Sequence, residues 1–119
     1  RVLASPYCRT VQMAELMRLG PVSATDAVIN MRVADYFGGR AAVTETASKL
    51  LGTTPTRGSN TVIIAHGNVA LATFGFRPAE GEAVILRPDV SGDYAIVGRL
   101  TAEAFVKLGE RAPRDSGNN

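Results

Sequence analysis

Short apolar runs and stretches of helical period alternate along the chain. Val2-Leu3-Ala4 reads as the tail of a buried strand, which Ser5-Pro6 breaks. From Cys8 to Leu19, apolar Val11, Ala14, Leu16 and Met17 alternate with Gln12, Glu15 and Arg18 at helical spacing, and Gly20-Pro21 stops the helix. Val22 to Ala24 fits a short strand. Ile29 to Gly39 is ambiguous, with Gly38-Gly39 marking a loop. Arg40 to Leu51 gives the clearest helix, with Ala42, Val43, Thr46, Ala47, Leu50 and Leu51 on one face and Gly52 as its C-cap. Thr53 to Asn60 is polar, contains Pro55 and Gly58, and reads as a loop. Thr61 to Ala65 is strand-like and apolar, of the kind buried on both faces of a parallel sheet. Gly67 to Phe74 then predicts a helix closed by Gly75, and Gly75-Phe76-Arg77-Pro78 reads as a turn. Glu82 to Arg87 and Tyr94 to Arg99 predict a hairpin around Pro88-Asp89-Val90-Ser91-Gly92. Thr101 to Leu108 fits a short helix, and Pro113 to Asn119 a frayed polar tail.

The order strand–helix, loop, helix, strand–helix, hairpin predicts an α/β fold. The expected architecture is a three-layer αβα arrangement with a mostly parallel sheet and an antiparallel edge hairpin, incomplete at the N-terminus. One domain over residues 1–112 and a tail over 113–119 follow.

Composition narrows the class. A chain of 119 residues, 45% hydrophobic and 20% charged, supports one globular core. No apolar run approaches the ~20 residues that span a bilayer, which speaks against a membrane-spanning role. A net charge of +2, with the arginines scattered, argues against a nucleic-acid partner. The single cysteine, Cys8, excludes an internal disulfide framework without fixing the compartment, cytoplasmic or exported. Cys8 reads as a small buried side chain rather than a nucleophile. One histidine and one cysteine make a poor ligand set, so no metal and no cofactor is expected.

The chemistry sits at two strand ends. In open α/β sheets, ligands bind beyond the carboxyl ends of the strands. The first candidate strand ends in Ser5-Pro6-Tyr7-Cys8-Arg9-Thr10, placing Arg9 at the opening of a helix. The second ends in His66-Gly67-Asn68, again opening a helix. Helix N-termini favour anions, a guanidinium fork matches phosphate oxygens, and an imidazole adds a hydrogen bond or a charge. Gly67 lets the backbone come close to a ligand. The combination describes a phosphate pocket, and the partner expected is a phosphorylated small molecule or phosphoanion.

These residues carry a resemblance. SPYCRTVQMAE resembles the second signature of the histidine phosphatase superfamily, the phosphoglycerate mutase-like proteins: a strand ending in Ser-Pro, an arginine three residues on, and a helix. IIAHGN resembles that family's second histidine, and FRPAEGEAVILRPD its return strand. The resemblance covers most of the chain in the right order. It implies that Arg9 binds the phosphoryl group, that His66 hydrogen-bonds it in the transition state, and that Ser5 and Asn68 line the pocket. Both Arg9 and His66 would stabilise charge developing on the transferring oxygens.

Two departures from the pattern matter. The family's nucleophile is another histidine, in an Arg-His-Gly motif on a strand that the resemblance places upstream and inside the sheet. This chain's only histidine matches the second one, so the chain as given is expected neither to turn over substrate nor to be very stable alone. Met31, in Ile29-Asn30-Met31-Arg32, stands where the mutase branch carries a glutamate acid, and a thioether gives no proton. Among Asp35, Glu80 and Glu82, Glu82 ranks first as a substitute acid. Two functions follow as expectations: a phosphate-monoester hydrolase acting through a phosphohistidine in the complete protein, or a non-catalytic relative that binds a phosphorylated ligand.

Overall fold

A computed structural model describes residues 1–113. The fold is α/β, with a parallel three-stranded sheet, an antiparallel two-stranded hairpin and four α-helices. Strand β1 (Val2–Ala4) is the middle of the parallel sheet, flanked by β2 (Val22–Ala24) and β3 (Val62–Ile64). All three β1 residues are buried, as expected for a strand paired on both edges. Its register sets Ala4 opposite Ala24 on one side and Ile64 on the other. The backbone N–H of Ser5 extends the ladder to the Ile64 carbonyl at 3.0 Å. Of β3 only Ile64 is fully buried. The reason is position: β3 pairs with β1 alone among the described residues, so it lies at the edge where the sequence pattern suggested an interior strand.

Helix α1 (Cys8–Leu16) buries Thr10 and Ala14, one turn apart on the side facing the sheet. It ends short of the expected Leu19, because Arg18 takes a left-handed φ of 53° and Gly20 a φ of 139°. Leu16, counted as a core position in the helical pattern, is 79% exposed. The ambiguous Ile29–Gly39 stretch is neither strand nor α-helix. A 3₁₀ turn at Asp26–Val28 and a second over Met31–Phe37 bury Val28, Met31 and Ala34. Helix α2 (Arg40–Leu51) matches the expected span and buries Val43 and Ala47. Gly52 caps it in a right-handed conformation, so its requirement for glycine is one of space. A methyl there would overlap the carbonyl oxygen of Gly92 in the hairpin loop. Helix α3 (Gly67–Phe74) closes on Gly75 with φ 80°, as its sequence predicted.

Two apolar clusters share the parallel sheet. Val2, Ala4, Ala14 and Ile64 form one, with Val62 against it. Val28, Ile29, Met31, Ala34, Val43, Ala47 and Val69 form the other, with Ile63 and Ala65 against it.

The hairpin differs from expectation. Strands β4 (Ala83–Pro88) and β5 (Tyr94–Leu100) make a sheet of their own instead of extending the edge of the parallel one. A bulge between Ile85 and Leu86 interrupts their register. The hairpin is joined to the body through the Gly52–Gly92 contact and through Tyr94, whose hydroxyl donates to the Thr73 carbonyl at 3.4 Å. The Tyr94 ring meets Phe74 edge-on. Helix α4 (Ala102–Arg111), capped by the Thr101 hydroxyl, follows β5 and buries none of its residues. The expected tail over 113–119 falls, beyond Pro113, outside the described residues.

Candidate functional site

The parallel register brings the two sequence-predicted strand ends together. Because Ala4 lies opposite Ile64, the chains leave β1 and β3 side by side, and Ser5 and His66 meet where the ladder ends. Ser5 Oγ lies 2.8 Å from His66 Nε2, with Ser5 fully buried and His66 8% exposed. On the other side of the ring, His66 Nδ1 lies 3.4 Å from Arg9 Nη2. A guanidinium carries donors only, so Nδ1 is the acceptor. The proton then sits on Nε2, which donates to the Ser5 hydroxyl oxygen. Burial, and after it the Arg9 charge, holds the His66 pKa below its ordinary 6.5, so the imidazole is neutral at neutral pH.

The loop before α1 is fastened from below. Thr10 Oγ1 donates to the Ser5 carbonyl at 2.6 Å and to the Tyr7 carbonyl at 2.8 Å, closing the turn that Pro6 begins. Tyr7 packs edge-on against the His66 ring at 4.9 Å, and the Arg9 guanidinium lies 5.4 Å from the Tyr7 ring centre. Tyr7 thus fixes the ring and the cation that face each other. Sequence reasoning passed over Tyr7 and Thr10. The position of Thr10 three residues into a helix that has no capping side chain was the available signal.

Both helices that open at this rim start without a side-chain cap and without an acidic residue in the first turn. Their first N–H groups and partial positive charges are therefore left for another acceptor. Among the described residues Arg9 makes no pair with a carboxylate. The 3.4 Å contact between Arg9 and His66 is long for a hydrogen bond, and an oxyanion between the two would give each a stronger partner.

The remaining predicted residues are placed as follows. Asn68 lies in the first turn of α3, but its amide is committed within the protein. Its Oδ1 accepts from the Met31 N–H at 3.3 Å, and its Nδ2 donates to Asn30 Oδ1 at 2.8 Å. Asn68 and Asn30 tie the 3₁₀ segment to the rim, a link sequence reading did not find. Met31 is buried in the larger apolar cluster. Glu82 precedes β4 and is held by Arg99 through two bonds, of 2.9 and 3.0 Å, while also accepting from the Ala79 N–H at 2.8 Å. The bond to Arg99 comes first among the causes that hold its carboxyl below the ordinary value. An ionised, fully engaged carboxylate is a poor proton donor. Cys8, expected to be buried, is exposed, because the first residue of α1 faces outward while Thr10 and Ala14 take the inner face.

One further side chain reaches this rim. Arg77 lies along Gly67: a Cβ on Gly67 would stand 2.9 Å from its Nη1 and 3.3 Å from its Cγ. Among the described residues, no group of three or more His, Cys, Asp or Glu is placed to hold a metal ion, and no helix is long and apolar enough to cross a membrane.

No family model, curated protein or solved structure matches the chain. The site is therefore read on its geometry.

Proposed function

We propose that this chain carries the phosphate-holding half of a phosphate-monoester hydrolase of the histidine phosphatase type. One observation carries the reading: Ser5, Arg9 and His66 converge at the paired ends of β1 and β3, where two uncapped helices begin. In this reading Arg9 forks onto two oxygens of the phosphoryl group. His66, oriented by Ser5 and Tyr7, takes a proton from solvent at Nδ1 as the phosphate dianion binds and donates that N–H to a third oxygen. The nucleophilic histidine, which attacks phosphorus while the alcohol oxygen departs, would come from another segment of the complete protein, and water would then release phosphate.

The same reading includes a three-layer αβα domain. The alternation along β3 supports it, since Val62 and Ile64 join one apolar cluster while Ile63 and Ala65 join the other. The edge of β3 that no described strand pairs is where a further strand could join the sheet.

The test is acid-quench trapping with a phosphate monoester labelled on phosphorus. The complete protein is expected to yield a phosphohistidine at a residue other than His66, and Arg9→Gln to lower its formation at least tenfold. Absence of any phosphoenzyme, with phosphate binding retained, favours a second reading, a phospho-ligand binder without catalysis. The burial of Met31 and the engagement of Glu82 by Arg99 are what favour that alternative.

A further inference from the structure

The two halves of the rim are held very differently. The His66 ring is buried, bonded at Nε2 to the buried Ser5 hydroxyl and met edge-on by Tyr7, whereas Arg9 is exposed. The cation can leave its place and the ring cannot. With its proton on Nε2, the ring turns a lone pair toward the rim at Nδ1, and Arg9 covers that lone pair at 3.4 Å. An oxyanion drawn to Arg9 would meet the lone pair, acceptor against acceptor. Two rearrangements remove the conflict. The ring can take a second proton at Nδ1, or it can change tautomer, with the Ser5 hydroxyl turned to donate, and offer an uncharged Nδ1–H. Charge balance favours the first. A proton at Nδ1 sets imidazolium against guanidinium, which the empty site avoids and an anion between the two cancels. A charge-assisted bond is also roughly twice as strong as a neutral one. Among the described residues, Arg9 from α1 is the one charge acting on the ring, Arg77 lies beside Gly67 of α3, and neither is paired with a carboxylate.

We infer that the Arg9–His66 contact is a resting latch that an anion and a proton open together: the anion draws Arg9 off Nδ1, and the proton takes the place that Arg9 leaves. Anion affinity is then set by pH. Burial and the Arg9 charge hold the free imidazole below its ordinary 6.5, so the coupling operates above that value. There the empty site is neutral at His66 and the filled site is charged, and affinity falls as pH rises until the filled ring also gives up its proton. By reciprocity, the anion favours the proton by as much as the proton favours the anion. The inference rests on the reading of Arg9 and His66 as a phosphoryl site and adds its regulation. On release, each partner of the latch returns to the other.

The test uses the complete protein and inorganic sulfate, a tetrahedral dianion that carries no proton of its own near neutral pH. Binding is followed by calorimetry between about pH 6.5 and 8, in two buffers of different ionisation enthalpy, so that proton uptake is read directly. Wild type is expected to lose about tenfold in sulfate affinity over that range and to take up about one proton per sulfate. His66→Gln, whose amide donates without charge, is expected to change by less than about twofold over the same range and to take up about one proton fewer. The difference between the two proteins isolates His66 from any other histidine of the complete protein. A wild-type affinity that is flat in pH, or equal proton uptake in both proteins, would mean that the ring changes tautomer instead, and overturns the inference. Flat affinity together with sulfate binding that Arg9→Gln abolishes removes the latch and keeps the phosphoryl reading. Sulfate that does not bind, or that binds equally well to Arg9→Gln, removes both.

Discussion

Replacing Ser5 by alanine removes a hydroxyl that is wholly buried and accepts from His66 Nε2 at 2.8 Å. The imidazole N–H is left inside the protein without a partner, because its other nitrogen already faces Arg9. An orphaned buried donor costs about 1–3 kcal/mol, and the vacated oxygen leaves a void smaller than a methyl group. We therefore expect Ser5→Ala to destabilise the full-length protein by about 2 kcal/mol, read as a lower urea midpoint at unchanged slope. The number alone does not separate the bond from packing, so the decisive form is a double-mutant cycle with His66→Ala. The two side chains touch, and a coupling of about 1–2 kcal/mol is expected. Additivity within about 0.5 kcal/mol would refute the geometry, since it would mean that serine and histidine do not meet.

Three other outcomes follow from single features. Gly52→Ala is expected to destabilise by about 3 kcal/mol in urea unfolding, because its methyl would meet the main-chain carbonyl of Gly92, where no rotamer can give way. The depressed pKa of His66 sets a sign for pH. The unfolded chain takes up the proton below about 6.5 while the native imidazole resists, so this contribution to stability is complete above that pH and declines as pH falls through it. Urea midpoints of wild type should accordingly fall faster than those of His66→Gln on acidification, and parallel curves would contradict the burial. In the complete protein, Glu82→Gln should change turnover of an aryl phosphate by less than about threefold, whereas loss of a working general acid lowers it by ~10²–10⁴. Its carboxylate is spent on Arg99.

How far the sequence could be read depended on whether a feature was local. The spans of α2 and α3 were legible because periodicity, glycine stops and flanking turns all agree there. The end of α1 was not, since Leu16 and Met17 continue the apolar pattern while the backbone turns left-handed at Arg18. The 3₁₀ segment over Met31–Phe37 was unreadable for a similar reason. Its fold follows from Asn30 and Asn68 fastening it to the rim, a contact between residues 38 apart in the chain. That Ser5, Arg9 and His66 lie together was legible because each sits at a junction between a strand and the helix that follows it, a signal contained in a few neighbouring residues. The places of Tyr7 and Arg77 depend on what they pack against, and composition around them says only "turn". Cys8 was misjudged on residue type, which favours burial, when its place on the outer face of the first turn decides the matter.

The convergence of the site rests on register rather than on the residues themselves. In a parallel pair, side chains at the ends of two strands meet only if both strands stop at the same level. Ala4 opposite Ile64 leaves His66 two residues past its strand, with Ser5 one past β1, and the bond from the Ser5 N–H to the Ile64 carbonyl pins that offset. A slip of two residues would keep every apolar side chain on its proper face. It would also carry Ser5 about 7 Å along β3 and out of reach of the imidazole. What resists the slip is asymmetric. Thr25 N–H bonds the Ala4 carbonyl at 2.8 Å on one side, and Val62 N–H bonds the Arg1 carbonyl at 2.8 Å on the other, so β1 is clamped at both ends by different neighbours. The short strands, three residues each, are enough because the site needs a fixed level more than a long ladder. The position of the rim that carries Ser5, Arg9 and His66 is in this sense already decided where β1 pairs.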